Sequence, residues 1–138
     1  MVHALEKICQ CLDPDGRLID IHPSGIPPTI EACVGEQFVQ VGRIQETDDF
    51  IEYGQASDAL TQAVERGWFA VERAGTFEFA TRADSVAELR DYLAKEWKDA
   101  ILDESAAARA EMLLSAQPHD SELIVREQVL IARLRLLG

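Results

Sequence analysis

Leu12–Pro23 reads L-D-P-D-G-R-L-I-D-I-H-P, and this stretch sets the reading of the chain around it. Residues 3–12 before it place Leu5, Ile8, Cys9 and Leu12 at i, i+3, i+4 and i+7, the apolar stripe of a helix. Asp13-Pro14-Asp15-Gly16 stops that helix. Pro14 cannot continue the hydrogen-bond ladder, and Gly16 suits a tight turn. Arg17–His22 is then strand-like, with Leu18, Ile19 and Ile21 apolar, and Pro23 ends it. A strand apolar on both faces is expected inside a sheet covered by helices.

The pattern continues in both classes of element. After a Gly- and Pro-rich loop at 24–28, Thr29–Val34 and Gln37–Ile44 read as strands joined by a tight turn at Gly35-Glu36. Thr47-Asp48-Asp49 offers a cap for a helix over 48–66, with Gly54 as an interruption and Gly67 as the stop. Trp68–Arg73 and Thr76–Arg82 read as a hairpin about Ala74-Gly75. Ser85-Val86-Ala87-Glu88 is a capping box, ahead of a helix face made by Val86, Leu89, Leu93 and Trp97. Residues 103–116 are rich in helix formers, and Pro118 closes them. Residues 122–136 fit a strand or a helix, and their branched side chains favour one long strand.

Composition narrows the class. The chain has 138 residues, 47% of them hydrophobic, enough for a core without metal or disulfide support. We place no domain boundary in it and read residues 1–138 as a single domain. The fold class is α+β, or an incomplete α/β, with a mostly antiparallel sheet flanked by about four helices. A net charge of −12, from 25 acidic and 13 basic residues, argues against nucleic acid and anionic membrane as partners. No apolar run nears the roughly 20 residues that span a bilayer, and no secretory signal opens the chain. Three cysteines are few and odd in number, which points to a reducing, cytoplasmic setting. Cys9 and Cys11 point apart on a helix and cannot share a metal.

Helix, then Leu12-Asp13-Pro14-Asp15-Gly16-Arg17-Leu18, then a short apolar strand, resembles the segment after the cofactor site in class I S-adenosylmethionine-dependent methyltransferases. That family's motif reads L-x-P-G-G-x-L, and Asp15 stands here for its first glycine. F-E-F-A-T-R-A-D-S-V-A-E-L-R-D-Y-L (77–93) and V-R-E-Q-V-L-I-A-R-L (125–134) resemble its last helix and closing antiparallel strands. The glycine-rich cofactor turn and the ribose-binding acid would precede residue 1, and no G-x-G stands in the chain. The resemblance therefore implies the carboxyl-terminal half of such a fold without its cofactor half, in a whole chain or in part of a longer product. It carries over no catalytic residue.

The residues themselves offer few sites. His22 with Asp20 ends the opening strand, where open α/β sheets place ligands, but no nucleophile adjoins them in sequence, and a packing histidine is the simpler expectation. Trp68, Phe69, Phe77 and Phe79 form either a ligand wall or, more simply, core. Cys33 lies between Glu31 and Glu36, which oppose a reactive thiolate. Asp48, Asp49 and Glu52 favour a helix dipole more simply than a cation. Ligand contacts are thus assigned to His22, Asp20, Trp68 and Phe77, with no catalytic residue, metal or cofactor. A half-sheet leaves edges and an apolar face to cover. The expected role is a non-catalytic oligomerisation or interaction module acting as a homodimer or with a partner chain. The alternative is a small-molecule-binding protein or a methyltransferase-like enzyme.

Overall fold

The computed structural model describes all residues except Thr47 and Asp48, and only the backbone of Asp49 and Phe50. In chain order the elements are α1 (Val2–Cys11), β1 (Arg17–Pro23), β2 (Thr29–Val34), β3 (Gln37–Arg43), β4 (Gln45–Glu46), α2 (Asp49–Glu65), β5 (Phe69–Ala83), α3 (Val86–Glu96), β6 (Ala100–Ile101), α4 (Glu104–Ala116) and β7 (Ser121–Leu136). This is the expected α+β class, with a mostly antiparallel sheet. The proposed cap Thr47-Asp48-Asp49 lies outside the described residues. The chain divides into two compact units, one of residues 1–25, 50–77 and 128–138, the other of 26–49 and 78–127. β5 and β7 contribute residues to each.

In the first unit β1 pairs antiparallel with β7, from Arg17 opposite Arg135 to Pro23 opposite Val129. Leu5 of α1, Ala59 and Ala63 of α2, Phe69 of β5 and Leu134 of β7 form its core, with Ile8, Cys9, Leu12 and Leu18 packed around them. The stripe of the first helix therefore does what its spacing requires. Phe69 is fully buried, and a phenyl ring so placed contributes about 3–5 kcal/mol. α2 ends in a Schellman motif. Gly67 takes φ +73°, its N–H donates to Val64 O, and the Trp68 N–H donates to Ala63 O.

The second unit pairs β2 with β7 on one side and with β3 on the other, both antiparallel. Ile30, Ala32, Val41, Ile44, Val86, Leu89, Leu93, Leu123 and Val125 form its core. The β2–β3 turn uses Gly35 at φ +60°, as its sequence predicts. The capping box forms: Ser85 Oγ accepts from Glu88 N–H at 3.0 Å, while Glu88 Oε2 accepts from Asp84 N–H at 2.7 Å. Gly42 of β3 lies directly against α4, where a Cβ would fall 2.7 Å from that of Ala106. Arg126 pairs with Glu31 and lies over the Phe38 ring, and the Glu31 hydrogen bond raises its pKa above the ordinary value.

Four readings change. β5 runs unbroken from Phe69 to Ala83 where a hairpin was expected, and Gly75 has no positive φ with which to reverse the chain. A long partner explains this, because β5 pairs with β7, itself 16 residues long. The ion pairs Glu72–Arg133, Glu78–Arg126 and Arg82–Glu122 run in opposite senses along the two strands, as an antiparallel register requires. Phe77 and Phe79 are consequently exposed, at 42% and 55%, and not core. β1 is covered on one face only: Ile19 and Ile21 stay 51% and 57% exposed. Residues 122–136, by contrast, form the long strand expected of them, and its two apolar alternations serve different cores: odd-numbered Leu123 and Val125 in the second unit, even-numbered Ala132 and Leu134 in the first. Gly54 does not interrupt α2, because the residue is exposed and touches nothing that its missing side chain would have to fill.

Candidate functional site

His22 is the penultimate residue of β1, paired opposite Leu130, and alternation places it on the same face as Leu18 and Asp20. Regular strand geometry thus brings the Asp20 carboxylate beside the ring, and Nδ1 lies 2.6 Å from Asp20 Oδ2. A carboxylate only accepts, so Nδ1 carries the proton. In the neutral ring Nε2 is then the acceptor, and Ser57 of α2 donates its hydroxyl to it at 2.9 Å. The result is a continuous chain, Ser57 Oγ–H to His22 to Asp20, wholly within the first unit.

Burial shapes what this chain can do. The His22 side chain is 11% exposed and that of Asp20 24%, while Ser57 is half-buried. Asp20 fixes the ring tautomer and orientation, and Nε2 is left to take a proton from Ser57. Ser57 stands in the interior of the 17-residue α2, where backbone N–H groups are committed to the helix ladder. No free backbone donor is therefore set at Ser57 to receive an oxyanion.

The other predicted ligand contacts lie in different settings. Trp68 packs against the first unit's core, with the Arg66 guanidinium 5.1 Å from its ring centre, and its carbonyl accepts from Leu137 N–H. Phe77 borders a shallow trough of about 440 Å³ with Ile19, Ile131, Arg73 and Arg133. Beside it Glu72 accepts from Arg17 Nε and pairs with Arg133 Nε, each at 3.0 Å. The structure therefore unites His22 with Asp20 and adds Ser57, but it gathers no single pocket from the four predicted residues. Ser57 lies 35 residues from His22, and nothing in its local sequence announces the contact.

Among the described residues no cluster of three His, Cys, Asp or Glu side chains is arranged to hold a metal ion. The acidic set Asp48, Asp49 and Glu52 lies in part outside the described residues. No described helix is long and apolar enough to cross a membrane.

The most exposed regular element is β5. Residues 71–80 are all exposed, and among the described residues its one strand partner is β7. Val71, Arg73, Gly75 and Phe77 alternate on one side of the strand, and Phe79 continues the series.

No family model matches the chain, and no curated protein or solved structure is significantly similar to it.

Proposed function

We propose that this chain is a self-association module, non-catalytic in that role, in which two copies pair edge to edge along β5. The observation that carries the reading is ten consecutive exposed residues, 71–80, on a strand with one edge unpaired among the described residues, with Val71 and Phe77 among them. Native proteins blunt such edges with Pro, Lys, bulges or short strands. β1 ends in Pro23, and the β2–β3 pairing carries a register shift at Ile30/Glu31. β5 has no Pro and no Lys in its 15 residues, and its charges Glu72, Glu78 and Arg82 are ion-paired to β7.

A second copy is the occupant that suits this strand. A two-fold axis perpendicular to the sheet pairs a strand with itself antiparallel and keeps each side chain on its own face. Centred on Ala74, that register sets Val71 opposite Phe77, Glu72 opposite Thr76 and Arg73 opposite Gly75. No like charges meet within 71–77, and the largest apolar side chains meet each other. The net charge of −12 and the three free cysteines support a partner other than nucleic acid and a reducing, cytoplasmic setting.

Sedimentation velocity at micromolar concentration tests the reading. The chain is expected as a dimer, and Phe77→Lys is expected to weaken association at least about tenfold, a loss near 1.4 kcal/mol, without unfolding, since Phe77 is exposed. A stable monomer at tens of micromolar rejects the reading.

Kinship with methyltransferase carboxyl-terminal regions is proposed on the motif Leu12-Asp13-Pro14-Asp15-Gly16-Arg17-Leu18 alone; there Gly16 N–H donates to Asp13 O at 2.7 Å, and β1 follows at once. A second reading, small-molecule binding, is favoured by the trough of Ile19, Phe77 and Ile131 with Arg73 and Arg133, whose volume falls in the range of ligand sites. Calorimetry with S-adenosylmethionine tests the second reading for that ligand: binding supports it, and no heat removes S-adenosylmethionine as its occupant.

A further inference from the structure

We propose that Ser57 is an activated nucleophile that accepts an acyl group from activated esters. Three features carry this. Ser57 Oγ lies 2.9 Å from His22 Nε2, within reach for direct proton transfer. His22 Nδ1 is held at 2.6 Å by Asp20, which fixes the tautomer that leaves Nε2 free to act as base. Ser57 keeps part of its surface in solvent, so a small reagent has access to it.

The step balances without any further reactant. As Oγ attacks the ester carbonyl carbon, its proton passes to His22 Nε2. The tetrahedral adduct collapses, the bond from the acyl carbon to the leaving oxygen breaks, and the alcohol or phenol departs with the proton that His22 held. The products are the Ser57 ester and one molecule of the alcohol. The base and its orienting carboxylate are in place, but backbone donors for the oxyanion are not, because the amides around Ser57 are spent in α2. This restricts the donor to esters with a good leaving group, such as aryl esters. It also makes the reaction a stoichiometric acylation, compatible with a module that does not turn substrate over. His22 is the base, and Asp20 is a positioning residue acting through it.

The test uses the full chain and p-nitrophenyl acetate. Nitrophenolate release is followed by absorbance, and the acetyl group is located by peptide mass spectrometry. The expected result is a burst of one equivalent with acetyl on Ser57. His22→Gln is expected to slow labelling at Ser57 by about 100-fold, the scale of general-base assistance. Asp20→Asn is expected to slow it as well, and Asp20→Glu to restore part of the rate. Absence of acetyl on Ser57 in the unaltered chain overturns the proposal, whatever the variants do. Labelling of Ser57 at an undiminished rate in a folded His22→Gln chain overturns it too. The reaction is independent of self-association: the acylation rate constant per chain is expected to be the same at protein concentrations below and above the dimer dissociation constant, so either reading can fail without the other.

Discussion

At Gly42 a single hydrogen decides whether a helix can approach a strand. The Cβ of an alanine at this position would lie 2.7 Å from Ala106 Cβ, well inside van der Waals contact, and both residues belong to packed regular elements. α4 faces the sheet with Ala106, Ala107 and Ala110, all buried, so small residues on the helix and a glycine on the strand together set the spacing. Gly42→Ala should therefore destabilise the fold by about 1–3 kcal/mol, the usual cost of overpacking, and urea denaturation should read this as a lower midpoint with an unchanged slope. Gly54→Ala provides the contrast. Nothing lies within 4 Å of the added methyl, and the site is in the helix interior. There alanine should stabilise by up to about 1 kcal/mol. Neither result follows from the sequence by itself, which reads Gly54 as an interruption and gives Gly42 no special place. The distinction lies in what each α-carbon faces.

The elements show where local pattern suffices and where it fails. The helices around Leu5 and Leu89, the Ser85 cap, the Gly67 stop and the Gly35 turn were legible because each rests on contacts within a few residues. β5 was not, because Ala74-Gly75 resembles a turn locally and only pairing with β7, some 50 residues on, continues the strand through it. β7 was legible as a strand from its branched side chains, yet which core each of its two alternations serves depends on distant helices. Ser57 is the same lesson at the candidate site: Asp20 and His22 share a strand face by simple alternation, whereas the hydroxyl arrives from another element. The continuity of β5 through Ala74-Gly75 also makes the proposed register testable. In a chain whose Cys9, Cys11 and Cys33 are replaced by serine, Ala74→Cys places one thiol from each copy across the two-fold axis. Directly opposed antiparallel residues have Cα atoms about 4.5–5.5 Å apart, inside the range a disulfide accepts. Oxidation should give a covalent dimer from Ala74→Cys in high yield and much less from Glu78→Cys, which the same register sets opposite Ala70. Equal yields from both positions would show that β5 edges do not meet in this register.

For the whole molecule, charge sets the terms on which two copies can meet. Each chain carries −12, so any dimer brings like fields together, and the apolar contact along β5 has to outweigh that repulsion. Within β5 the charges are largely handled locally: Glu72 is paired with Arg17 and Arg133, and Glu78 with Arg126. The remaining repulsion is therefore long-range, and long-range terms are the ones salt removes. The Debye length shortens from about 14 Å at 0.05 M to about 4 Å at 0.5 M. An association held by contacts between opposite charges weakens over that interval. An association held by strand pairing and by Val71 against Phe77, and opposed by net charge, strengthens. Sedimentation equilibrium across this range should thus give a dissociation constant that falls with added sodium chloride, by about three- to tenfold, equivalent to roughly 0.6–1.4 kcal/mol. The Phe77→Lys chain should show the same direction of change from a weaker starting point, since the repulsion it feels is nearly the same. A constant that rises with salt would place the attraction in ion pairs and move the interface away from the apolar side of β5.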